Sequence, residues 1–399
     1  MADEAERINA PISTAELERR WAAVRKAMEE QRIDVLVMQN NNDFMGGYVK
    51  YFTDLPATNG YALSVVFPRD EGMTVIGQGP IGQDRLVQPG SDPLRRGVRR
   101  VMTSPSYSSA PFTREVDAAL AEKALTPYSG ATIGLVGTGA MPAAFLDYLK
   151  RGKLSNAKFV EASDLVDAIK AIKSAEEIAF MRRTAEMQDA CMSAAFAAVA
   201  PGKKDIEIAA IAEQVGHSWG SEQGLFMCAS GPVGTAAVMA NRHLQNRTIR
   251  GGDQYTLLVE SNGPGGFYTE LGRTCVLGKA SQEMKDEFAF VMEARKFTLG
   301  LLRPGAVCKD IWDAFNQFMR DNQRPEEKRL YCHGMGYDMV ERPLVRFDES
   351  MRLAKNMVVS CHPTYVTERT YSWACDNFLI GERSTERLHK FPEKITELG

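Results

Sequence analysis

The sequence predicts a two-domain chain, an α/β layer over residues 1–172 followed by an α+β domain over 173–399, and three observations predict it. A chain of 399 residues is long for one hydrophobic core. In its first part short apolar runs alternate with helical stretches, as in an α/β layer. In its second part long helices alternate with antiparallel-looking strands in two similar halves.

The first element reads as a helix, because Ser13 with Glu16 makes a capping box and Leu17, Trp21, Val24 and Met28 recur at helical spacing. Strands follow at Asp34 to Met38, Ala62 to Phe67, Met73 to Ile76 and, after a Ser-Gly turn signal, Thr132 to Val136, with a helix over Met141 to Leu149. Ser174 with Glu177 is a second capping box, after which Ile178, Met181, Ala185 and Met192 share a face until Pro201-Gly202. Further helices are predicted over Asp205 to Trp219, Gln282 to Leu302 and Lys309 to Asp321. Strands are predicted over Gln254 to Glu260, Phe267 to Leu277, Met357 to Tyr365 and Asn377 to Ile380.

Composition excludes several partners. Forty-eight basic against fifty-one acidic residues leave a formal charge of −3, without the basic excess that phosphate-backbone binding needs, so nucleic acid is not expected. No window approaches the ~18 apolar residues of a membrane span. The start, MADEAERINA, is acidic where a signal peptide is basic and then apolar. The expectation is a cytoplasmic protein with no membrane partner. Seven scattered cysteines, odd in number and without a C-x-x-C pair, argue against a disulfide framework or a structural zinc site.

Five histidines are few enough to weigh singly. His333 lies in Cys332-His333-Gly334-Met335-Gly336, where glycines let a backbone or ligand approach the ring. His362 ends an apolar run at Ser360-Cys361-His362-Pro363. Glu260 ends one predicted strand and Glu270 lies in the next, so a hairpin would bring the two carboxylates together. Such carboxylates with two imidazoles offer acid/base groups or metal ligands. The bland alternative is that the histidines are satisfied and the glutamates solvated. His217 reads as structural and His389 as solvent-facing. Arg95, Arg96, Arg99 and Arg100 read as a solvated or subunit-contact face, and Cys332, Cys361 and Cys375 as buried, inert thiols.

Several landmarks in order resemble the creatinase, prolidase and aminopeptidase P superfamily. They are Lys173-Ser174-Ala175-Glu176-Glu177, Gly252-Asp253, Tyr268-Thr269 with Arg273-Thr274, Leu302-Arg303-Pro304-Gly305 with Asp310-Ile311, His333-Gly334-Met335-Gly336 with Glu341 and Pro343, and Asn356-Met357-Val358-Val359 with Pro363. The N-terminal segments Asp34-Val35-Leu36-Val37 and Gly60-Tyr61-Ala62-Leu63, and the closing Lys390-Phe391-Pro392, look closest to creatinase-like members. The resemblance implies a pita-bread fold for the C-terminal domain.

It also implies a ligand set that this chain departs from. Peptidases of the superfamily hold two metal ions with two aspartates, a histidine and two glutamates. Here those positions carry Val259 or Glu260, then Glu270, His333, His362 and Cys375. Val340 and Asn241 stand where accessory histidines belong, with His243 two residues beyond the latter. Asn241 also stands at the catalytic histidine of creatinase, and Gly272 and His362 at its substrate-binding glutamates.

The leading expectation is a creatinase-like hydrolase cleaving a C–N bond in a small polar metabolite, not a dinuclear metallopeptidase. His333, Glu270 and His362 would be catalytic, with Arg273, Tyr268, Asn59 and Glu260 binding substrate. One alternative is a mononuclear iron enzyme, a lyase or ring-cleaving oxygenase, with Glu270, His333 and His362 as metal ligands. A second is a non-catalytic family member. The cofactor stays open between one divalent transition metal, iron or zinc, and none. The resemblance further implies a homodimer in which the partner's Tyr51 to Tyr61 region, containing Thr53, Asp54 and Asn59, completes the pocket.

Overall fold

Two units divide the chain, Met1–Lys170 and Ala171–Gly399, and the computed structural model describes residues 8–42, 44–56, 60–107 and 109–399. In the first unit the helix Thr14–Glu30 starts at Ser13, whose hydroxyl accepts the Glu16 N–H at 3.1 Å. Its predicted stripe of Leu17, Trp21, Val24 and Met28 is buried. The described residues build a seven-stranded mixed sheet in the order Asp84–Leu86, Val98–Ser104, Met73–Gln78, Leu63–Pro68, Val35–Asn40, Thr132–Val136 and Lys158–Glu161. Val35–Asn40 is buried along its whole length, so its first four residues, Val35 to Met38, read as an unbroken apolar run and not as an alternation.

The strand Val98–Ser104 escaped the sequence reading because Arg99 and Arg100 interrupt its apolar pattern. Both find carboxylates, Glu71 and Asp84, while Arg95 pairs with Asp92 and Arg96 with Asp54. The basic cluster is therefore internally neutralised. Asn59 lies outside the described residues. None of the described helices is long and apolar enough to cross a membrane.

The second unit opens with a complete capping box: the Ser174 hydroxyl accepts the Glu177 N–H and the Glu177 carboxylate accepts the Ser174 N–H. Two similar halves follow, the α+β pita-bread architecture. In one, the helices Ala175–Ala198 and Asp205–Ser218 cover a four-stranded sheet ordered Thr396–Leu398, Tyr268–Leu277, Asp253–Asn262 and Gly224–Pro232. In the other, Gln282–Leu301 and Cys308–Asp321 cover a five-stranded sheet ordered Glu341–Leu344, Cys332–Gly334, Val358–Cys361, Asp376–Ile380 and Thr385–Arg387. A backbone bridge between Gly272 and Cys375 joins the sheets.

Strand parity decides what faces the helices. Leu257, Val259, Leu271 and Cys275 pack with Met187, Cys191, Ala195 and Phe226 in one core, and full burial of such a side chain contributes about 1.5–3 kcal/mol. Side chains alternate between faces, so the even-numbered residues Leu258, Glu260, Glu270 and Gly272 are turned away from that core. Leu258 joins Tyr371, Trp373 and Cys375 there in a small apolar wall.

Gly272 is required by that wall. A Cβ at this position would lie 2.1 Å from the Trp373 ring, and Trp373 is itself only 2% exposed. Gly272→Ala should therefore lower stability by about 1–3 kcal/mol through overpacking, read as an earlier urea midpoint, and Gly272→Ala with Trp373→Leu should recover part of the loss.

Candidate active site

Glu270 and Glu260 are direct cross-strand partners in the hairpin of Asp253–Asn262 and Tyr268–Leu277. The Glu270 N–H points out of this hairpin and donates to Asn377 Oδ1 at 2.6 Å, as the N–H groups of Tyr268 and Gly272 point outward to Gly336 and Cys375. The two glutamates are thus a non-hydrogen-bonded pair, the arrangement that brings opposed side chains closest. Both are buried. Burial and the adjacent Glu270 push the Glu260 carboxyl well above the ordinary range, which keeps Glu260 a neutral proton donor.

His333 and His362 reach Glu270 from the second half. Cys332–Gly334 and Val358–Cys361 pair antiparallel, and the His362 N–H donates to the Tyr331 carbonyl just beyond the ladder. His333 Nε2 lies 3.7 Å and His362 Nε2 3.9 Å from Glu270 Oε2. The rings stand edge to face with centroids 5.2 Å apart. Nδ1 of His333 is 3.1 Å from the Gly334 carbonyl, so it carries the proton and turns an unprotonated Nε2 towards Glu270.

Two residues that the sequence reading passed over complete the surroundings. Ser360 donates to Glu270 Oε2 at 2.7 Å and sits 3.0 Å from Cys375 Sγ. Asn377 holds the Glu270 backbone. Each is a polar residue inside an apolar strand two positions from a singled-out residue, His362 or Cys375, and period-2 alternation could have found both.

Other expected residues lie elsewhere. Arg273 differs from Glu270 in strand parity, so it leaves the opposite face. Its guanidinium is fully buried, binding Asp376 and the carbonyls of Gly272, Cys375 and Pro392. It is thus directed away from Glu270 and bonded to protein groups. Tyr268 shares Glu270's parity and is fully buried. His243 is exposed on the short turn Arg242–Leu244. His389, read as solvent-facing, is 2% exposed. Cys375 is buried, and burial with the charge of Glu270 raises its thiol well above the ordinary range, so it is a protonated, inert group.

The donor set does not fit two metal ions. A pair of adjacent dications needs several carboxylates to offset its charge. Among the described residues the clustered donors are Glu270, His333 and His362, with ligand atoms within 4.8 Å of one another. One carboxylate with two neutral imidazoles does fit a single divalent transition ion.

The profile of metallopeptidase family M24 matches residues 179–382. An Xaa-Pro dipeptidase of Pyrococcus horikoshii is 26% identical over 270 residues, covering 64% of this chain and 73% of that protein. Among solved structures, the fold is similar to the X-Pro aminopeptidase of Thermotoga maritima (TM-score 0.75, 17% identity, 95% of this chain and 99% of that one). It is equally similar to an Xaa-Pro dipeptidase of Bacillus anthracis (TM-score 0.75, 18% identity, 96% and 100%).

Burial lowers the pKa of His333 to about 4, helped by His362 and opposed by Glu270. Burial and then the charge of Arg329 lower His362 to about 4 as well. Both rings charge more readily in the unfolded chain, near pH 6.5. Stability is therefore whole above pH 6.5, falls as pH drops towards 4, and is lost by on the order of 3 kcal/mol per ring below that. Urea titrations of chelator-treated protein between pH 4 and 7 should show this slope, and His333→Gln with His362→Gln should flatten it.

Proposed function

The chain belongs to metallopeptidase family M24, and from that membership and its altered donor set we propose a hydrolase that cleaves a C–N bond in a small polar metabolite without a dinuclear metal centre. The observation that supports the reading is one buried carboxylate, Glu270, between two neutral imidazoles, where the sequence resemblance implies a carboxylate-rich cluster. The M24 relatives named above are peptidases, which break C–N bonds.

The residues support a proton path. A water beside Glu270 would lose its proton to His333 Nε2, which is unprotonated. A ring whose pKa is about 4 is a weak base at rest, so the imidazolium must be stabilised by Glu270, 3.7 Å away. The hydroxide so formed would bond to the carbon as the C–N bond breaks, Glu260, held neutral, would protonate the departing nitrogen, and the proton on His333 would return to the carboxylate pair. A neutral carboxyl beside a carboxylate presents a donor and acceptors side by side, the complement of an amide, urea or guanidino group. The apolar wall of Trp373, Tyr371 and Leu258 excludes water around them. The same wall explains why a creatinase-type glutamate has no place at Gly272.

A second reading is favoured by the mutual approach of the three donors. Glu270, His333 and His362 would hold one divalent iron or zinc ion, which would supply Lewis acidity or dioxygen chemistry. A homodimer belongs to the leading reading, and sedimentation would show it as a species of twice the chain mass.

The test assays the purified protein, before and after chelation, on panels of amides, ureas, guanidino compounds and Xaa-Pro dipeptides, with its metal content measured. Amine release from a non-peptide compound that survives chelation and disappears in Glu270→Gln is the expected result. Cleavage of Xaa-Pro dipeptides with two bound metal equivalents would overturn it, and activity lost on chelation but restored by Fe(II) would establish the second reading.

A further inference from the structure

Tyr371 stands in the wall beside the carboxylate pair, and its hydroxyl has no part in the proton path. It belongs to the strand Tyr371–Trp373, which pairs antiparallel with Thr364–Val366. This short ribbon leaves the chain just after His362 and returns to it just before Cys375, so both of its ends are anchored at the site. Tyr371, Trp373 and Cys375, at every second position, pack with Leu258 in one cluster, and the Tyr371 and Trp373 ring centroids are 5.8 Å apart. Cys375 Sγ is 3.0 Å from the Ser360 hydroxyl that donates to Glu270. A chain of contacts therefore leads from the Tyr371 ring to the Glu270 carboxylate.

The ring is held, but the hydroxyl is not. Tyr371 is 6% exposed, and among the described residues its hydroxyl makes no hydrogen bond. A phenol this deep in a protein ordinarily has a partner. Trp373 beside it also carries an unpartnered N–H, but that nitrogen is sealed inside the wall, whereas the Tyr371 oxygen is not sealed from solvent. A ligand can reach the second and not the first. Burial, opposed by the charge of Arg329 and reinforced by that of Glu270, raises the phenol above its ordinary range, so it keeps its proton and offers a donor.

Hydrolysis of a carbonyl compound calls for such a donor. Attack by hydroxide moves the carbonyl π pair onto oxygen, and the pair returns as the C–N bond breaks. A hydrogen bond to that oxygen strengthens as its charge grows, which lowers the barrier. Neighbouring donors are already bound: the Ser360 hydroxyl to Glu270, Nδ1–H of His333 to the Gly334 carbonyl, and the Asn377 amide to the Met335 sulfur. The Glu260 proton goes to the departing nitrogen. A guanidinium group has N–H donors and no acceptor, so it would leave the Tyr371 hydroxyl proton unsatisfied.

We propose that Tyr371 is a catalytic residue whose hydroxyl donates to the carbonyl oxygen of the substrate as water adds, and that the compound cleaved is an amide or urea and not a guanidino compound. This rests on the reading of Glu270 as the reacting carboxylate. Tyr371 keeps its proton throughout, so the balance of the proton path is unchanged.

The experiment uses the full chain with Tyr371→Phe, which removes one oxygen and leaves the ring in the wall. On an amide or urea that the wild type cleaves, kcat should fall on the order of a hundredfold with KM within about twofold. The thiocarbonyl analogue of that compound, whose sulfur accepts weakly, should be slow with the wild type as well. Changing the tyrosine and the sulfur together should then cost less than the product of the two separate losses. An unchanged kcat, losses that simply multiply, or wild-type cleavage confined to guanidino compounds would overturn the proposal. A second measurement needs no turnover: in protein made with isotope-labelled tyrosine, acetamide should shift the assigned Cζ resonance of Tyr371 and methylguanidinium should not. An unmoved resonance, or an equal shift with methylguanidinium, would also overturn it. If the wild type turns over no compound in the panel, the hydrolase reading fails, while the acetamide titration still decides whether Tyr371 binds a carbonyl group.

Discussion

The burial of one charged carboxylate beside another acidic group is the constraint on which the second unit turns. Glu270 and Glu260 face each other across a non-hydrogen-bonded pair, away from water. Two charges there would repel strongly at low dielectric, so one of them must stay protonated. The surroundings choose which. Ser360 donates to Glu270, and its backbone N–H is held by Asn377, whereas Glu260 is left to desolvation and to its neighbour's charge. The imidazoles follow from the same economy of charge, since burial keeps both neutral.

On the proposed reading, that economy of charge sets this chain apart from a two-metal arrangement. A dinuclear centre gathers carboxylates because the cations offset them. Remove the cations and the same cluster would be a stack of unpaired negative charges. His362 and Cys375, which the sequence resemblance puts at the positions of two glutamates, would relieve that stack, and the Trp373 ring packs over Gly272 where a larger side chain has no room. The substitutions therefore form one consistent set, each reducing the negative charge buried on the same face.

Much of the fold was legible because its signals are local. The capping box at Ser174 and Glu177, the strand at Thr132 to Val136 and the helix beginning at Asp205 lie where spacing and turn residues place them. Gly224–Pro232 was missed, since glycine, serine and cysteine dilute its pattern, although it forms the outer strand beside Asp253–Asn262. The meeting of Glu270, His333 and His362 followed from family landmarks, and hairpin logic brought Glu260 to Glu270. Arg273, expected to bind substrate, is turned by strand parity to the face opposite Glu270 and bonds to Asp376. His389 was misjudged because its neighbours, Asp189 and Asn377, are far away in sequence, and no local pattern marks a buried histidine in a tail.

Parity also explains how the unit carries so much charge without confusing its functions. Asp376 is buried among Arg273, Arg295 and Arg387, a network of full charges one residue from Cys375 and from Asn377. Adjacent residues on a strand point to opposite faces, so these guanidinium groups are directed away from the carboxylate pair. On one face, cations clustered on an aspartate hold its carboxyl strongly ionised and tie down the C-terminal segment through Pro392 and Phe391. On the other, an almost neutral cluster surrounds a single carboxylate. A guanidinium bonded to Glu270 would compete with the imidazoles for its charge; Arg329, whose charge reaches His362, is instead paired with Glu327.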